Sequence, residues 1–301
     1  MPFTTTKLTL LLRVTLGVFW LAQMLGCASL HQHHEQDILG FPVGPFLANE
    51  EIAIWLMKYD WVAWHSSDVV LTEDEDDVSR LGPEWFCLEL DDRWHAIFGK
   101  YDSAKRDYQV VFHYEYSDDG EFIHSEVDVP QSTLNAYGRA IHRTGAQLPE
   151  DVTGLPIRFN VYVRPLGDDE LEVWYLPAVQ SDGTLVYGGE LRYVVVSADG
   201  EIHTQELNYT NFFSAGVSGG AGGEKSLDIV REENEYPSVG DIFFLLMNRN
   251  HFEDITIWNR SFLTRLTGGD GELEVWLHAR RQDRRPGRGA GVGRSRRPSD
   301  L

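Results

Sequence analysis

Cysteine is nearly absent from this sequence: Cys27 and Cys87 are the only two in 301 residues. One bridge is the most they can form, so no disulfide framework holds the fold. Positive charge is scarce as well. Lysine and arginine number 26 against 47 aspartates and glutamates, for a formal net charge of −21. Eight arginines crowd into residues 280–301, opposed only by Asp283 and Asp300. Taking away that +6, and the +2 of Lys7 and Arg13, leaves −29 for the body. Such a body repels nucleic acid and anionic membrane surfaces and argues against acidic substrates; its gain in solubility needs no partner. No repeat recurs at a fixed period of about 20–50 residues.

Apolar residues are plentiful: 42% are hydrophobic and 12% aromatic, which excludes global disorder and provides for a sizeable core. Ile52, Trp55, Leu56 and Tyr59 follow Asn49 at helical spacing, predicting a helix over about 49–59. The pattern then changes to period two. "WFCLEL" and "WHAIFGK" flank Asp91-Asp92-Arg93, and "YQVVFHYEY" and "EFIHSEVDV" flank Asp118-Asp119-Gly120, two hairpin signatures. A helix capped by Ser132, with Leu134, Tyr137 and Ile141 on one face, interrupts the strands. Strands return as "IRFNVYVRP", "ELEVWYLPA", "TLVYGG", "ELRYVVVS" and "EIHTQELNYTNFF", joined by short Asp- and Gly-containing turns. Short connections imply antiparallel neighbours. Beyond Gly223, "SLDIVREEN" reads as helical, "DIFFLLMN" and "DITIWN" as strands, and "FLTRL" and "ELEVWLH" flank a last glycine-rich turn. The expected fold class is α+β, mainly an antiparallel β-meander sheet with two or three helices.

Residues 1–30 read "MPFTTTKLTLLLRVTLGVFWLAQMLGCASL". Lys7 and Arg13 supply a positive start, Val14 to Leu25 an apolar middle, and Gly26, Ala28 and Ser29 a small-residue cleavage region, the layout of a secretory signal. The apolar run is shorter than the ~20 residues a membrane span needs. An uncleaved anchor from Leu8 onward would have to place Arg13 inside the bilayer. Met24-Leu25-Gly26-Cys27 resembles the lipobox of bacterial lipoproteins. That resemblance implies cleavage before Cys27, acylation of Cys27, and anchoring to a membrane through its acyl chains. Ala28 would then allow passage to the outer membrane of a Gram-negative cell. A plain secretory signal cut after Ala28 is the other reading of the same residues.

The expected organisation is a signal peptide over 1–26, a tether over 27–46, an α+β domain over 47–279 with a Gly-rich loop at 215–223, and a disordered basic tail over 280–301. The tail is read either as a frame-shifted or read-through end or as a basic arm for an anionic partner. Cys87, flanked by alternating apolar residues in "EWFCLEL", is expected to be a buried structural thiol.

No residue is assigned as catalytic, cofactor-binding or metal-binding. Gly216-Val217-Ser218-Gly219-Gly220 fits the G-x-S-x-G pattern of a hydrolase elbow, with Asp228 or Asp241 and His251 or His278 as partners in chain order. The helix such an elbow requires would open on Gly219-Gly220-Ala221-Gly222-Gly223, at about 0.8–1 kcal/mol per interior glycine. Lys225-Ser226 ends the stretch as a phosphate loop would, but Glu224 stands where glycine is needed. The stretch reads as a connector. His31, His33, His34 and Glu35 lack the spacing of a closed zinc site. Glu73 to Asp77 lacks the turn glycine and distant glutamate of a calcium loop. His95, His113 and His124 fall on strands with Glu115 and Glu126 two residues past the last two, so a His/Glu cluster or a wet sheet face is expected there.

The functional expectation is an exported bacterial cell-envelope protein, lipid-anchored at Cys27 on the outer membrane or periplasmic face and otherwise secreted. Its role is binding or structural, toward a protein, glycan or small ligand, with no nucleic acid and no cofactor. The alternative is an envelope hydrolase using Ser218 or a metal. A secreted eukaryotic protein is the third class, because Asn208-Tyr209-Thr210 and Asn259-Arg260-Ser261 are glycosylation sequons.

Overall fold

The structure, a computed structural model, describes residues 40–281 except 118–119, 155–156, 181–183, 209–212, 217–225, 253 and 268–274. The signal and lipobox with Cys27, the tether histidines, Ser218 with most of its Gly-rich loop, and the tail past Arg281 lie outside the described residues. The chain divides into two units at Gly44–Pro45, and every described strand belongs to the second.

The architecture is α+β, as expected. Helix α1 spans Val43–Val70, well past the predicted end. Ala53, Leu56, Tyr59, Ala63, Ser66 and Val70 continue one buried stripe at helical spacing, whereas Trp61 and Trp64 are exposed. Asn49, the expected cap, sits inside the helix and donates through Nδ2 to the carbonyl of Pro237 at 3.0 Å. After the short helix α2, Glu75–Val78, come strands β1 Phe86–Leu90, β2 Arg93–Asp102, β3 Asp107–Tyr116 and β4 Phe122–His124. They form an antiparallel sheet in the order β1-β2-β3-β4. Asp91 and Asp92 both have positive φ, 51° and 63°, so the predicted hairpin closes through a two-residue turn of the primed type that matches strand twist.

Helix α3, Gln131–Gly145, is next along the chain. Its N-cap is Pro130 rather than Ser132, with no side-chain cap. The predicted face is the buried one: Leu134, Tyr137 and Ile141 pack in one cluster with Phe86 and Ile97 of the first sheet. The same cluster takes Val163, Val173, Leu191 and Tyr193 from a second sheet. That sheet comprises β5 Phe159–Pro165, β6 Glu170–Pro177, β8 Glu190–Val196 and β9 Ile202–Asn208, all antiparallel; the one-turn helix α4, Glu150–Thr153, precedes it.

The meander is broken at β7, Thr184–Tyr187, which leaves the second sheet to pair with β10, Phe213–Gly216. Gly188 and Gly189, at φ 88° and 81°, allow that departure. Two assignments of type are also corrected. "SLDIVR" is strand β11, Ser226–Arg231, and "DIFFLLMN" lies in helix α5, Val239–Asn248. Strand β11 runs parallel to β12, Asp254–Asn259, with α5 as the crossover between them; β13 Phe262–Thr267 and β14 Val275–Arg280 complete the third sheet antiparallel. Among the described residues no helix is long and apolar enough to cross a membrane.

Candidate functional site

The outer face of the second sheet, opposite α3, meets both α1 and α5. On α1, Asp60, Ala63, Trp64 and Ser67 share one face, at spacings of three and four. On β5, Asn160 and Tyr162 point the same way because strand side chains alternate. From α5 come Phe243, Phe244 and Met247, and from the third sheet Arg231. Together they enclose a cleft of about 690 Å³.

One end of the cleft holds a buried polar group. Arg231 is 2% exposed; its Nε lies 3.2 Å from Glu233 and 3.6 Å from Asp241. Its guanidinium faces the Tyr187 ring, 5.6 Å from the centroid. The Tyr187 hydroxyl donates to Oδ1 of Asp241. Asp241 also closes a capping box with Ser238: its Oδ2 accepts from the Ser238 N–H at 2.9 Å, and its own N–H donates to Ser238 Oγ at 3.2 Å. Glu190 Oε2 accepts from the Gly240 N–H at 2.9 Å. Two carboxylates thus meet the first turn of α5, where the helix end favours negative charge. Burial nevertheless raises the Asp241 carboxyl and pushes Glu190 up to about 7.

The other end is Asp60. Its Oδ1 accepts from the Tyr162 hydroxyl at 2.7 Å and from Asn160 Nδ2 at 3.0 Å. Burial raises its carboxyl despite those two donors. Trp64 lies one turn further along α1 and is 65% exposed at the rim. Ser67, whose Oγ donates to the Ala63 carbonyl at 2.7 Å, is engaged within its own helix.

Of the residues singled out in the sequence, Asp241 and His251 line this cleft, and the other described ones lie elsewhere. His95 Nδ1 and His113 Nε2 are 3.0 Å apart, and Glu115 stands opposite His95 in the register, held by Arg93 at 3.2 Å and by Ser125 at 2.9 Å. Part of the expected cluster therefore forms. His124 is not in it; it pairs instead with Glu73 at 3.1 Å, which also accepts from the Tyr114 hydroxyl. Glu126 is exposed. Among the described residues no group of three or more His, Cys, Asp or Glu has metal-holding geometry. The acidic run has structural work: Asp74 caps α2 by accepting from the Asp76 N–H at 2.9 Å, and Asp77 pairs with Arg80 at 2.7 Å.

Of the four residues considered as partners of Ser218, three have other contacts and His251 lines the cleft. Asp228 accepts from Trp258 Nε1, His278 meets Thr264, and Asp241 caps α5. Cys87 is a free, fully buried thiol, raised by burial and then by the charge of Asp60. Asn259 is 0% exposed, so its sequon is closed in the folded chain; most of the sequon at Asn208 lies outside the described residues.

Sequence reasoning missed the cleft because its walls come from α1, β5, β7 and α5, which lie far apart along the chain. The i, i+3, i+4, i+7 set from Asp60 to Ser67 was the one signal present. No protein-family model matches this chain, and neither does any curated protein or solved structure.

Proposed function

We propose that this chain is an exported, lipid-anchored envelope protein that binds a small ligand in the cleft between α1 and α5. The observation that carries the binding reading is the cleft of about 690 Å³. Its size lies in the range of small-molecule sites. Its walls are mainly aromatic and aliphatic, and a few polar groups converge on it from separate elements. The address rests on Lys7 and Arg13, the apolar run to Leu25, and the lipobox-like Met24–Cys27.

Two measurements test the two halves separately. For the cleft, the neutral dye Nile red is expected to bind with a rise in fluorescence. Met247→Trp, at the half-buried position of α5 facing the cleft, is expected to weaken that binding about tenfold. A dye signal that is absent, or unchanged in the variant, removes the binding reading. For the address, the native protein is expected in the membrane fraction, starting at Cys27 and carrying acyl mass, and Cys27→Ser is expected to lose that mass. A native chain that starts at Met1 in the cytosol removes the address and leaves the cleft untouched.

A further inference from the structure

Glu172, Asp241 and Glu190, near the outer face of the second sheet, each lie in the field of an arginine, whereas Asp60 does not. Glu172 lies between Arg164 at 2.6 Å and Arg192 at 2.5 Å. Asp241 has Arg231 at 3.6 Å, and Glu190 shares the field of the same arginine. Among the described residues no Lys, Arg or His pairs with Asp60. The two groups that touch it are neutral, and both donate to Oδ1. No hydrogen bond from a described residue reaches Oδ2, and Asp60 lines the cleft. A desolvated charge without a counter-charge is costly, which is why such groups are ordinarily paired.

We propose that the ligand of the cleft, on the binding reading above, carries an ammonium group on an apolar body, and that this group pairs with Oδ2 of Asp60 beside the ring of Trp64. Residues four apart on a helix are neighbours, so Asp60 and Trp64 share the face of α1 that lines the cleft. An indole face attracts a cation, modestly at an exposed position such as that of Trp64. Tyr162 and Phe243 add ring surface behind it, 5.7 Å apart. Arg231 and Arg158, which both line the cleft, would oppose a cation; Asp241 and Glu233 offset Arg231 at the other end, and Arg158 is exposed and turns Nη2 to the Val179 carbonyl at 3.4 Å. The net charge of −21 draws cations toward the protein and slows the approach of anions. A neutral polyhydroxylated ligand would fill the same space and leave Asp60 uncompensated.

The test uses one scaffold with three head groups, namely 4-phenylbutylamine, 4-phenylbutanol and 4-phenylbutyrate, titrated into the full chain by calorimetry. The amine is expected to bind about tenfold tighter than the alcohol, and the acid weakest. Asp60→Asn keeps the Oδ1 acceptor for Tyr162 and Asn160. It is expected to bring amine and alcohol to within about twofold, with the alcohol unchanged. Trp64→Ala, at an exposed position that does not endanger folding, is expected to weaken the amine more than the alcohol. It gives an independent reading if Asp60→Asn fails to fold. Equal binding of amine and alcohol, or no binding of the amine while Nile red still binds, overturns the cation and spares the cleft. If neither the dye nor any of the three compounds binds, the cleft reading falls with it.

Discussion

The Tyr162 hydroxyl donates to Asp60 Oδ1 at 2.7 Å across 102 residues of chain, fastening α1 to the second sheet. Tyr59, one residue earlier, accepts from the Cys87 N–H at 2.9 Å and packs against the Tyr162 ring at 5.3 Å. One turn of α1 therefore touches both the first sheet and the second. It reaches one backbone N–H of β1, that of Cys87, while turning Asp60 into the cleft.

That fastening predicts a graded response. Asp60→Ala strands the Tyr162 hydroxyl and the Asn160 amide and is expected to cost about 1–3 kcal/mol of stability. Asp60→Asn retains the acceptor and sheds a desolvated charge, so it is expected to cost less than about 1 kcal/mol. Urea denaturation of the two variants beside the parent checks the order.

Two half-buried groups are expected to move stability with pH in opposite directions. Glu190 is raised to about 7. The folded state therefore holds its proton more tightly than the unfolded chain, and stability is lost as pH rises from the ordinary glutamate range, ~4.3, through about 7. Glu190→Gln should remove that loss. His113 is lowered to about 4, by burial first and then by His95. The folded state resists its protonation, so stability is lost as pH falls from ~6.5 toward about 4. His113→Gln should remove that second loss. Midpoints of urea unfolding from pH 4 to 8 separate the two; a variant that shifts the wrong limb refutes its assignment.

The capping box at α5 has a measurable weight. Ser238→Ala removes the acceptor for the Asp241 N–H, and it also removes a hydrogen bond to Glu190. The expected cost is about 1 kcal/mol, read from the thermal or denaturant midpoint. Ser238→Asp, which keeps a capping oxygen, is expected to recover less than Ser238→Thr, because Asp241 and Glu190 already bring negative charge to this helix end.

Gly99 sits at the bulge between β2 and β3, where register shifts after Phe98. A Cβ there would fall 2.1 Å from the Gln109 carbonyl oxygen, which is backbone and cannot step aside. Gly99→Ala is therefore expected to cost more than about 2 kcal/mol, in the range of severe single substitutions. Val110→Ala, on an exposed β3 position nearby, is the control and should stay within about 1 kcal/mol.

The legible parts of the fold are those set by near neighbours in the chain. The Asp91-Asp92 turn, the strand character of β1, β2, β3, β5, β6 and β8, and the Leu134, Tyr137, Ile141 face of α3 could all be read locally. The errors have physical reasons too. Residues Asp241–Asn248 are apolar nearly all round because α5 is buried on nearly every side, and a short apolar run carries no period that tells helix from strand. The Ser238–Asp241 cap was the overlooked sign. In β11, Leu227, Ile229 and Arg231 do alternate, but a buried arginine in a core-facing position disguised the period.

By itself the amino-acid order determined the α+β character, the hairpin turns and which side of α3 is apolar, because each depends on backbone preferences and spacings within a few residues. Tertiary structure alone decided that β7 deserts its sheet for β10, that β11 and β12 run parallel, and that His124 parts from His95 and His113. It also decided that Asp60, one acidic residue among 47, faces a ring-lined cleft with no cation beside it among the described residues. Desolvation and charge pairing depend on what the rest of the chain brings near, and the one-dimensional order does not contain those distances.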